Sequence, residues 1–225
     1  MKRDSERKLI ATIVATVMAV VAALFFFVTL PAPVDNKLHG QIGAALAEQA
    51  AGLVRPGGKI TVICRDTETF PQPSMETLLK SFKGRISKGT TVATLPVQVD
   101  PLRPAAAPPG DFFELIRKSK PEDVVVSLLG PPILSDEQRF MLGGVRPQIV
   151  ALCAGPSVGD MDLRRFFDAG LLHAAVVSQS FVRTTSDTAR IIPRDFSSLY
   201  RTYRSNDLAA LPRSPASEAS FTTNL

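Results

Sequence analysis

Seven polar or glycine residues follow hydrophobic runs of the sequence, at positions where ligand-binding loops are expected: Arg65, Asp66, Thr67, Gly130, Gly155, Ser157 and Gln179. The first three combine a guanidinium, a carboxylate and a hydroxyl, which could hold a zwitterionic or hydroxylated small molecule. Gly155 and Ser157 precede a predicted helix, so their backbone N–H groups could face an anion. The pattern predicts a ligand-binding site.

The same residues also have a purely structural interpretation. In that interpretation Arg65 and Asp66 pair with each other, and the glycines only form tight turns. Both interpretations agree with the sequence.

Hydrophobic periodicity predicts five strands over residues 59–64, 90–99, 123–129, 147–154 and 171–178. Helical patterns separate them, and Pro96 marks the second strand as an edge strand. Strands joined in this way need right-handed parallel crossovers. We therefore predict a flavodoxin-like or Rossmann-like doubly wound parallel sheet in the order 2-1-3-4-5. Ligands bind beyond the carboxyl ends of such strands, so the seven residues should share one edge.

Capping patterns predict where two of the helices begin. Asp111 with Glu114, and Ser135 with Gln138, both have the spacing of a capping box. We expect Asp111 and Ser135 to be the N-cap residues.

Residues 9–30 form 22 consecutive positions without a charged side chain. At about 1.5 Å per residue, such a helix spans the roughly 30 Å hydrocarbon core of a bilayer. The run is longer than the roughly 7 to 15 apolar residues of a secretory signal, and no small-x-small cleavage pattern follows it. We therefore predict an uncleaved transmembrane helix rather than a removed signal.

The charges beside this segment predict its orientation. Lys2, Arg3, Arg7 and Lys8 precede it and only Lys37 follows closely, so the N-terminus should stay in the cytoplasm. The main domain is then extracytoplasmic, in the periplasm, and the protein belongs to the inner membrane. The net charge of +5 falls to about +3 without the first eight residues, which gives no electrostatic case for binding nucleic acid.

The predicted organisation is a cytoplasmic basic end (1–8), a transmembrane helix (9–30), a juxtamembrane amphipathic helix (31–56), an α/β domain (57–180) and a partly disordered Arg/Ser/Pro-rich tail (181–225). Within the tail we predict a short helix over residues 196–203 and disorder over residues 213–225.

Residues suited to catalysis or metal binding are few. His39 falls on the juxtamembrane helix and His173 at the start of a buried strand, so we interpret both as structural. In the predicted order one strand separates those of Cys64 and Cys153, which places their backbones about 9 to 10 Å apart, beyond disulfide reach. We expect no disulfide, no metal and no cofactor.

A strand at Lys59–Ile63, a helix over 111–120 and a second strand at Asp123–Gly130 follow one another, with Lys120-Pro121-Glu122-Asp123 as the turn before the second strand. This succession resembles one lobe of the type I periplasmic substrate-binding proteins of ABC transporters, whose lobes use a K-P-D-type turn at this place. The resemblance covers residues 59–180 and implies small-molecule binding associated with transport. The family closes two such lobes on a ligand, whereas this chain has length for one.

These observations predict a membrane-anchored extracytoplasmic domain, non-enzymatic, that binds a small molecule or another envelope protein. The expected partners are the lipid bilayer, through residues 9–30, and an envelope protein or a second copy of the chain. One alternative is an enzyme on a flavodoxin-like scaffold with Asp66 and Ser157 near its site. Another is a structural subunit whose helix 36–54 forms a coiled-coil stalk, although Gly40 and Gly43 disfavour a long one.

Overall fold

The structure is a computed structural model that describes residues 12–22, 35–68, 71–99, 106–144, 146–155, 161–179 and 195–211. The chain divides into two compact units, residues 1–34 and residues 35–225.

In the first unit, residues 12–22 form helix α1. Within it the Thr16 hydroxyl donates a hydrogen bond to the Thr12 carbonyl oxygen at 2.9 Å, so this hydroxyl is satisfied inside its own helix. The remainder of the predicted span 9–30 lies outside the described residues. Among the residues that are described, no helix combines the length and the apolar character needed to cross a membrane.

The second unit is an α/β domain built on one mixed sheet. Its helices are α2 (Asn36–Leu53), α3 (Pro73–Arg85), α4 (Pro109–Lys118), α5 (Asp136–Leu142), α6 (Leu163–Asp168) and α7 (Phe196–Leu199), with a 3₁₀ helix at Ser205–Ala210. Its strands are β1 (Ile60–Arg65), β2 (Val92–Val97), β3 (Val124–Ser127), β4 (Gln148–Cys153), β5 (Ala174–Ser178) and β6 (Tyr200–Arg204). The sheet order is β2-β1-β3-β4-β5-β6, so the predicted order of the first five strands, all parallel, is confirmed.

The sixth strand was not predicted, and the helix expected over residues 196–203 is wrong beyond its first turn. The chain is helical only at Phe196–Leu199 and then runs antiparallel to β5 as β6. In β6 the Tyr203 side chain is buried in the core, while its neighbours Thr202 and Arg204 are on the opposite face. As a strand, this segment forms backbone hydrogen bonds with the open edge of β5. The pairing with β5 therefore outweighs the helical periodicity of residues 196–203.

Helices cover both faces of the sheet. Helices α2 and α3 pack on one face through Leu46, Phe82 and their buried neighbours, and α4 and α6 pack on the other through Phe112 and Phe167. This arrangement is the doubly wound architecture predicted from the sequence, with β6 added at one end.

Strand β2 is an edge strand, as Pro96 predicted. The Ile60 N–H donates to the Thr91 carbonyl oxygen and the Asp66 N–H donates to the Val97 carbonyl oxygen, both at 2.9 Å. In a parallel ladder alternate residues face the partner, so the odd-numbered residues of β2 face β1 and Pro96 faces outward. The proline therefore costs no hydrogen bond between β2 and β1. It also removes one backbone donor from the open edge, which makes pairing with a further strand less favourable.

Of the two predicted capping boxes, one is confirmed and one is wrong. Ser135 and Gln138 form a capping box at the start of α5. Helix α4 instead begins at Pro109, which places Asp111 inside its first turn, because proline at the first helical position is already held at a helical φ. Glu114 pairs with Arg117 at 2.8 Å rather than capping the helix.

Helix α2 buries the apolar stripe that could otherwise serve a coiled-coil stalk. A Cβ atom at Gly43 would lie 2.3 Å from the Leu78 carbonyl oxygen, so only glycine permits this approach of α2 to α3. Ser81 donates a hydrogen bond to the Gly40 carbonyl oxygen at 2.6 Å across the same contact. Ile42 and Leu46 lie in the core as a result, and they are not available to a stalk.

Asp123 joins the amino ends of three strands. Its carboxylate accepts from the Lys59 N–H at 3.0 Å and from the Lys120 N–H at 2.9 Å, and its carbonyl oxygen accepts from the Gln148 N–H at 3.0 Å. The side chain is 3% exposed. A buried carboxylate with two backbone donors is satisfied, whereas the same donors without it would be buried and unpaired.

We expect Asp123→Asn to destabilise the domain by about 2 to 4 kcal/mol, since an amide NH₂ would replace an oxygen that accepts a backbone N–H. Urea unfolding followed by circular dichroism measures the loss. The exposed Glu48→Gln should change stability by less than about 0.5 kcal/mol. An Asp123→Asn change as small as that of Glu48→Gln would show that the carboxylate does not hold the strands.

His173 joins the amino ends of β4 and β5. Its backbone N–H donates to the Ile149 carbonyl oxygen at 2.8 Å, and the Ile149 N–H donates to the imidazole Nδ1 at 3.0 Å. The ring must therefore be unprotonated at Nδ1, and burial lowers the pKa of His173 below its usual 6.5. The structural interpretation made from the sequence agrees with this bonding.

Because the pKa of His173 is lower in the folded state, the domain should lose stability as the pH falls below about 6.5, where the unfolded chain takes up the proton first. His173→Asn keeps an acceptor near the Nδ1 position but cannot titrate. We expect it to flatten the fall in unfolding midpoint between about pH 7 and about pH 5. Parallel pH profiles of wild type and variant would contradict the assignment.

Candidate functional site

The register of the sheet brings the predicted site residues to one edge. Ile63 pairs with Ser127, Ser127 with Ala151, and Cys153 with Val177. The residues that end or follow these parallel strands therefore lie along a common carboxyl edge: Arg65, Asp66, Thr67, Gly130, Gly155 and Gln179. Ser157 lies outside the described residues.

This edge has two halves. Strands β1 and β3 are neighbours, which brings the residues after β1 close to Gly130, and β4 and β5 are neighbours, which brings Gly155 close to Gln179. Three strand spacings of about 4.8 Å place Arg65 roughly 14 Å from Gln179 at the backbone. A small ligand can therefore contact one half fully and reach the other only through its far end.

In the β1 half, Asp66 organises the loop. Its N–H donates to the Val97 carbonyl oxygen at 2.9 Å, and its carboxylate accepts from the Glu68 N–H at 3.0 Å. The second bond closes an Asx turn that holds Thr67 at the tip. Arg65, Asp66 and Thr67 are all half-buried, so a ligand can reach them without the loop unfolding.

Two buried hydroxyls at the ends of strands were not among the predicted site residues. Ser127 is fully buried and Ser178 is 6% exposed, and they are the last residues of β3 and β5. The Ser127 Oγ accepts from the Leu129 N–H at 3.2 Å, just before Gly130 turns the chain at φ +90°. The signal that could have found them is a serine closing an otherwise apolar strand.

In the β5 half, the polar group of interest is the side-chain amide of Gln179. Its Nε2 atom is buried and makes no hydrogen bond to any described residue. An unpaired buried donor costs about 1 to 3 kcal/mol, and such groups in native proteins often face a ligand or an ion. Gly155, at the end of the neighbouring strand β4, has a φ of +94°.

The segment 155–159 also matches the G-x-S-x-G pattern of serine hydrolases, and it lies between β4 and α6 as that pattern requires. A serine nucleophile needs a histidine base within hydrogen-bond reach. His173 lies at the opposite, amino edge of the sheet, and the His39 Nδ1 is 2.8 Å from the Asp35 carbonyl oxygen in the first turn of α2. Ser157 itself lies outside the described residues, so the motif stays a feature of the sequence.

The two cysteines are buried and unpaired, as predicted. They lie on opposite faces of the sheet, Cys64 under α2 and α3 and Cys153 under α4 and α6, with β3 between their strands. Burial raises the pKa of both thiols, that of Cys153 to about 12, so neither is a thiolate near neutral pH. In the part of the chain that the structure describes, no three metal-binding side chains form a cluster.

No protein-family model and no curated protein matches the sequence. Several solved structures are similar in backbone. A sugar-binding protein of a sugar ABC transporter from Bacillus halodurans shares 12% identity at TM-score 0.49, covering 76% of this chain and 64% of that one. An arabinose-binding protein from Geobacillus stearothermophilus shares 11% at TM-score 0.47, covering 77% and 63%. An ABC transporter solute-binding protein from Burkholderia graminis, in complex with D-arabinose, shares 12% at TM-score 0.49, covering 78% and 62%.

The resemblance to binding proteins of ABC transporters that was stated from the sequence is therefore also found among solved structures. The chain spans less than two thirds of the length of these proteins. At such identities the likeness concerns the fold, and the sugar named for each neighbour is a property of that neighbour.

Proposed function

We propose that this chain is a membrane-anchored, extracytoplasmic domain that binds a small molecule at the carboxyl edge of its sheet and has no enzymatic activity of its own. The observation that carries the proposal is the buried Nε2 of Gln179 at this edge, which has no partner among the described residues. A ligand acceptor placed there would give this donor a hydrogen-bond partner.

Other features of the edge support binding over catalysis. Arg65, Asp66 and Thr67 carry both charges and a hydroxyl in a half-buried loop, and the His173 ring lies at the opposite edge of the sheet. Gly130 and Gly155 adopt positive φ at this edge, where a residue with a side chain would be strained. The resemblance to a substrate-binding lobe makes association with transport part of the proposal.

A partner completes the site in this proposal, because the resembling family encloses its ligand between two lobes. The segment after β3 exposes three large apolar side chains: Ile133 (42%), Phe140 (88%) and Met141 (56%). Ile133 follows the carboxyl end of β3, whereas Phe140 and Met141 lie near the end of α5, toward the amino edge. Exposed apolar residues grouped on one segment are typical of protein contacts. An envelope protein, or a second copy of this chain, would cover them, and this protein contact is the second candidate function.

Ligand binding is tested by thermal-shift measurements of the purified full chain with a metabolite panel, comparing wild type with Gln179→Met. The substitution keeps the size of the side chain and removes the amide. We expect a ligand to raise the melting temperature of wild type and to bind Gln179→Met about tenfold more weakly, while the unliganded variant is at least as stable as wild type.

Gln41→Met is the matched control, since it removes a half-buried glutamine amide on α2 whose buried Oε1 also lacks a partner among the described residues. Equal effects of both variants, or no stabilising ligand, would contradict a site at Gln179. Crosslinking from Phe140 in native membranes that recovers a protein partner would then favour the second candidate.

The anchor is a proposal that rests on the sequence of residues 9–30 and on the apolar surface of α1, where Val14, Val17 and Met18 are more than half exposed. We expect the full chain to stay in the membrane fraction after alkaline carbonate washing, and the domain from residue 35 onward to be digested by protease added from the periplasmic side. Recovery in the soluble fraction, or a mature N-terminus beyond residue 30 by mass spectrometry, would contradict it.

A further inference from the structure

A cavity of about 510 Å³ lies at the amino edge of the sheet, opposite the proposed ligand site. It opens between the loops that lead into β1, β4 and β5. Its charged and polar walls are formed by Arg55, Arg146, Gln148, Asp168 and His173. Its volume falls within the range of about 300 to 1,000 Å³ that small-molecule sites occupy.

His173 presents a hydrogen-bond donor to this cavity. Because the Ile149 N–H donates to Nδ1, the neutral ring carries its proton on Nε2. The orientation of the ring is fixed by that bond and by the backbone bond from His173 to Ile149. The cavity wall therefore contains a pre-oriented N–H group that does not add charge.

Arg146 holds the walls in place. Its Nε donates to the Gly143 carbonyl oxygen at 2.7 Å and its Nη1 to the Ala169 carbonyl oxygen at 3.2 Å. These carbonyls end α5 and α6, so one guanidinium clamps the two helix ends that flank the cavity. The charge of Arg146 is mostly used in satisfying these carbonyl groups.

Arg55 and Asp168 remain as an opposite pair of charges on the cavity wall. Both side chains are exposed, and within the described part of the chain neither forms an ion pair or a side-chain hydrogen bond. They are therefore separated by more than the 4.0 Å of an ion pair, although they line the same cavity. A ligand that carries both charges can bridge them.

We propose that this cavity binds a small zwitterion of the amino-acid type, with its carboxylate on the Arg55 guanidinium and the His173 Nε2–H, and its ammonium group on the Asp168 carboxylate. A simple anion would meet Asp168, and a simple cation would meet Arg55 and Arg146, so each single charge is disfavoured on one side. The site is separate from the carboxyl edge and does not depend on the function proposed there.

The proposal is tested by calorimetric titration of the purified full chain with L-alanine, propionate and ethylammonium. These probes share a carbon frame and carry both charges, only the negative charge, or only the positive charge. We expect L-alanine to bind about threefold to tenfold more tightly than either analogue. If L-alanine binds no better than its analogues, the proposal is wrong.

Two variants assign the charges. Arg55→Gln should reduce the affinity for L-alanine to the affinity that the wild type has for ethylammonium. Asp168→Asn should reduce the affinity for L-alanine to the affinity that the wild type has for propionate. Asp168→Asn should also strengthen the binding of propionate, because it removes a negative charge from the cavity. Arg85→Gln, an exposed arginine outside the cavity, is the matched control and should change nothing.

Both substituted side chains are exposed, so circular dichroism should show unchanged folding. Gln179→Met should leave the affinity for L-alanine unchanged. If Gln179→Met weakens it and the two cavity variants do not, the zwitterion binds at the carboxyl edge and this proposal fails.

Discussion

The Asp123 carboxylate sets the level at which three neighbouring strands begin. The carboxylate accepts hydrogen bonds from the N–H groups of Lys59 and Lys120, and the backbone carbonyl oxygen of Asp123 accepts one from the Gln148 N–H. Because these bonds lie at the starts of β1, β3 and β4, they fix the register from which both edges of the sheet follow. The close approach of Gly58 to the Glu122 carbonyl oxygen, where a Cβ would come within 2.1 Å, belongs to the same junction.

The two edges created by this register are chemically different. At the carboxyl edge the chain turns at Gly130 and Gly155, and a buried amide is left without a partner among the described residues. At the amino edge the helix ends converge, and Arg146 satisfies their carbonyl groups. The carboxyl edge thus offers a hydrogen-bond donor that has no partner among the described residues. The amino edge offers the charges of Arg55 and Asp168, beside helix ends that Arg146 holds in place.

The order of the five parallel strands could be predicted because each depends on a pattern that is local in the sequence. Continuous apolar runs such as 123–129 mark strands covered on both faces, and the helices between them demand parallel crossovers. Pro96 located the edge because proline cannot donate to a ladder. The start of α4 was misjudged because two signals competed, and Pro109 outweighed the capping pattern of Asp111.

The sequence by itself determined which residues lie at the carboxyl edge of the sheet. The strands are parallel, so the residues that end or follow them lie at the same edge: Arg65, Gly130, Gly155 and Gln179. Only the tertiary structure decided that β6 pairs with β5, because the open edge of β5 is formed by a strand distant in the sequence. It also decided that the Gln179 Nε2 is buried with no partner among the described residues, and that Arg55, Asp168 and His173 line one cavity. Such relations depend on distances between segments that are far apart in the chain, and no local pattern records them.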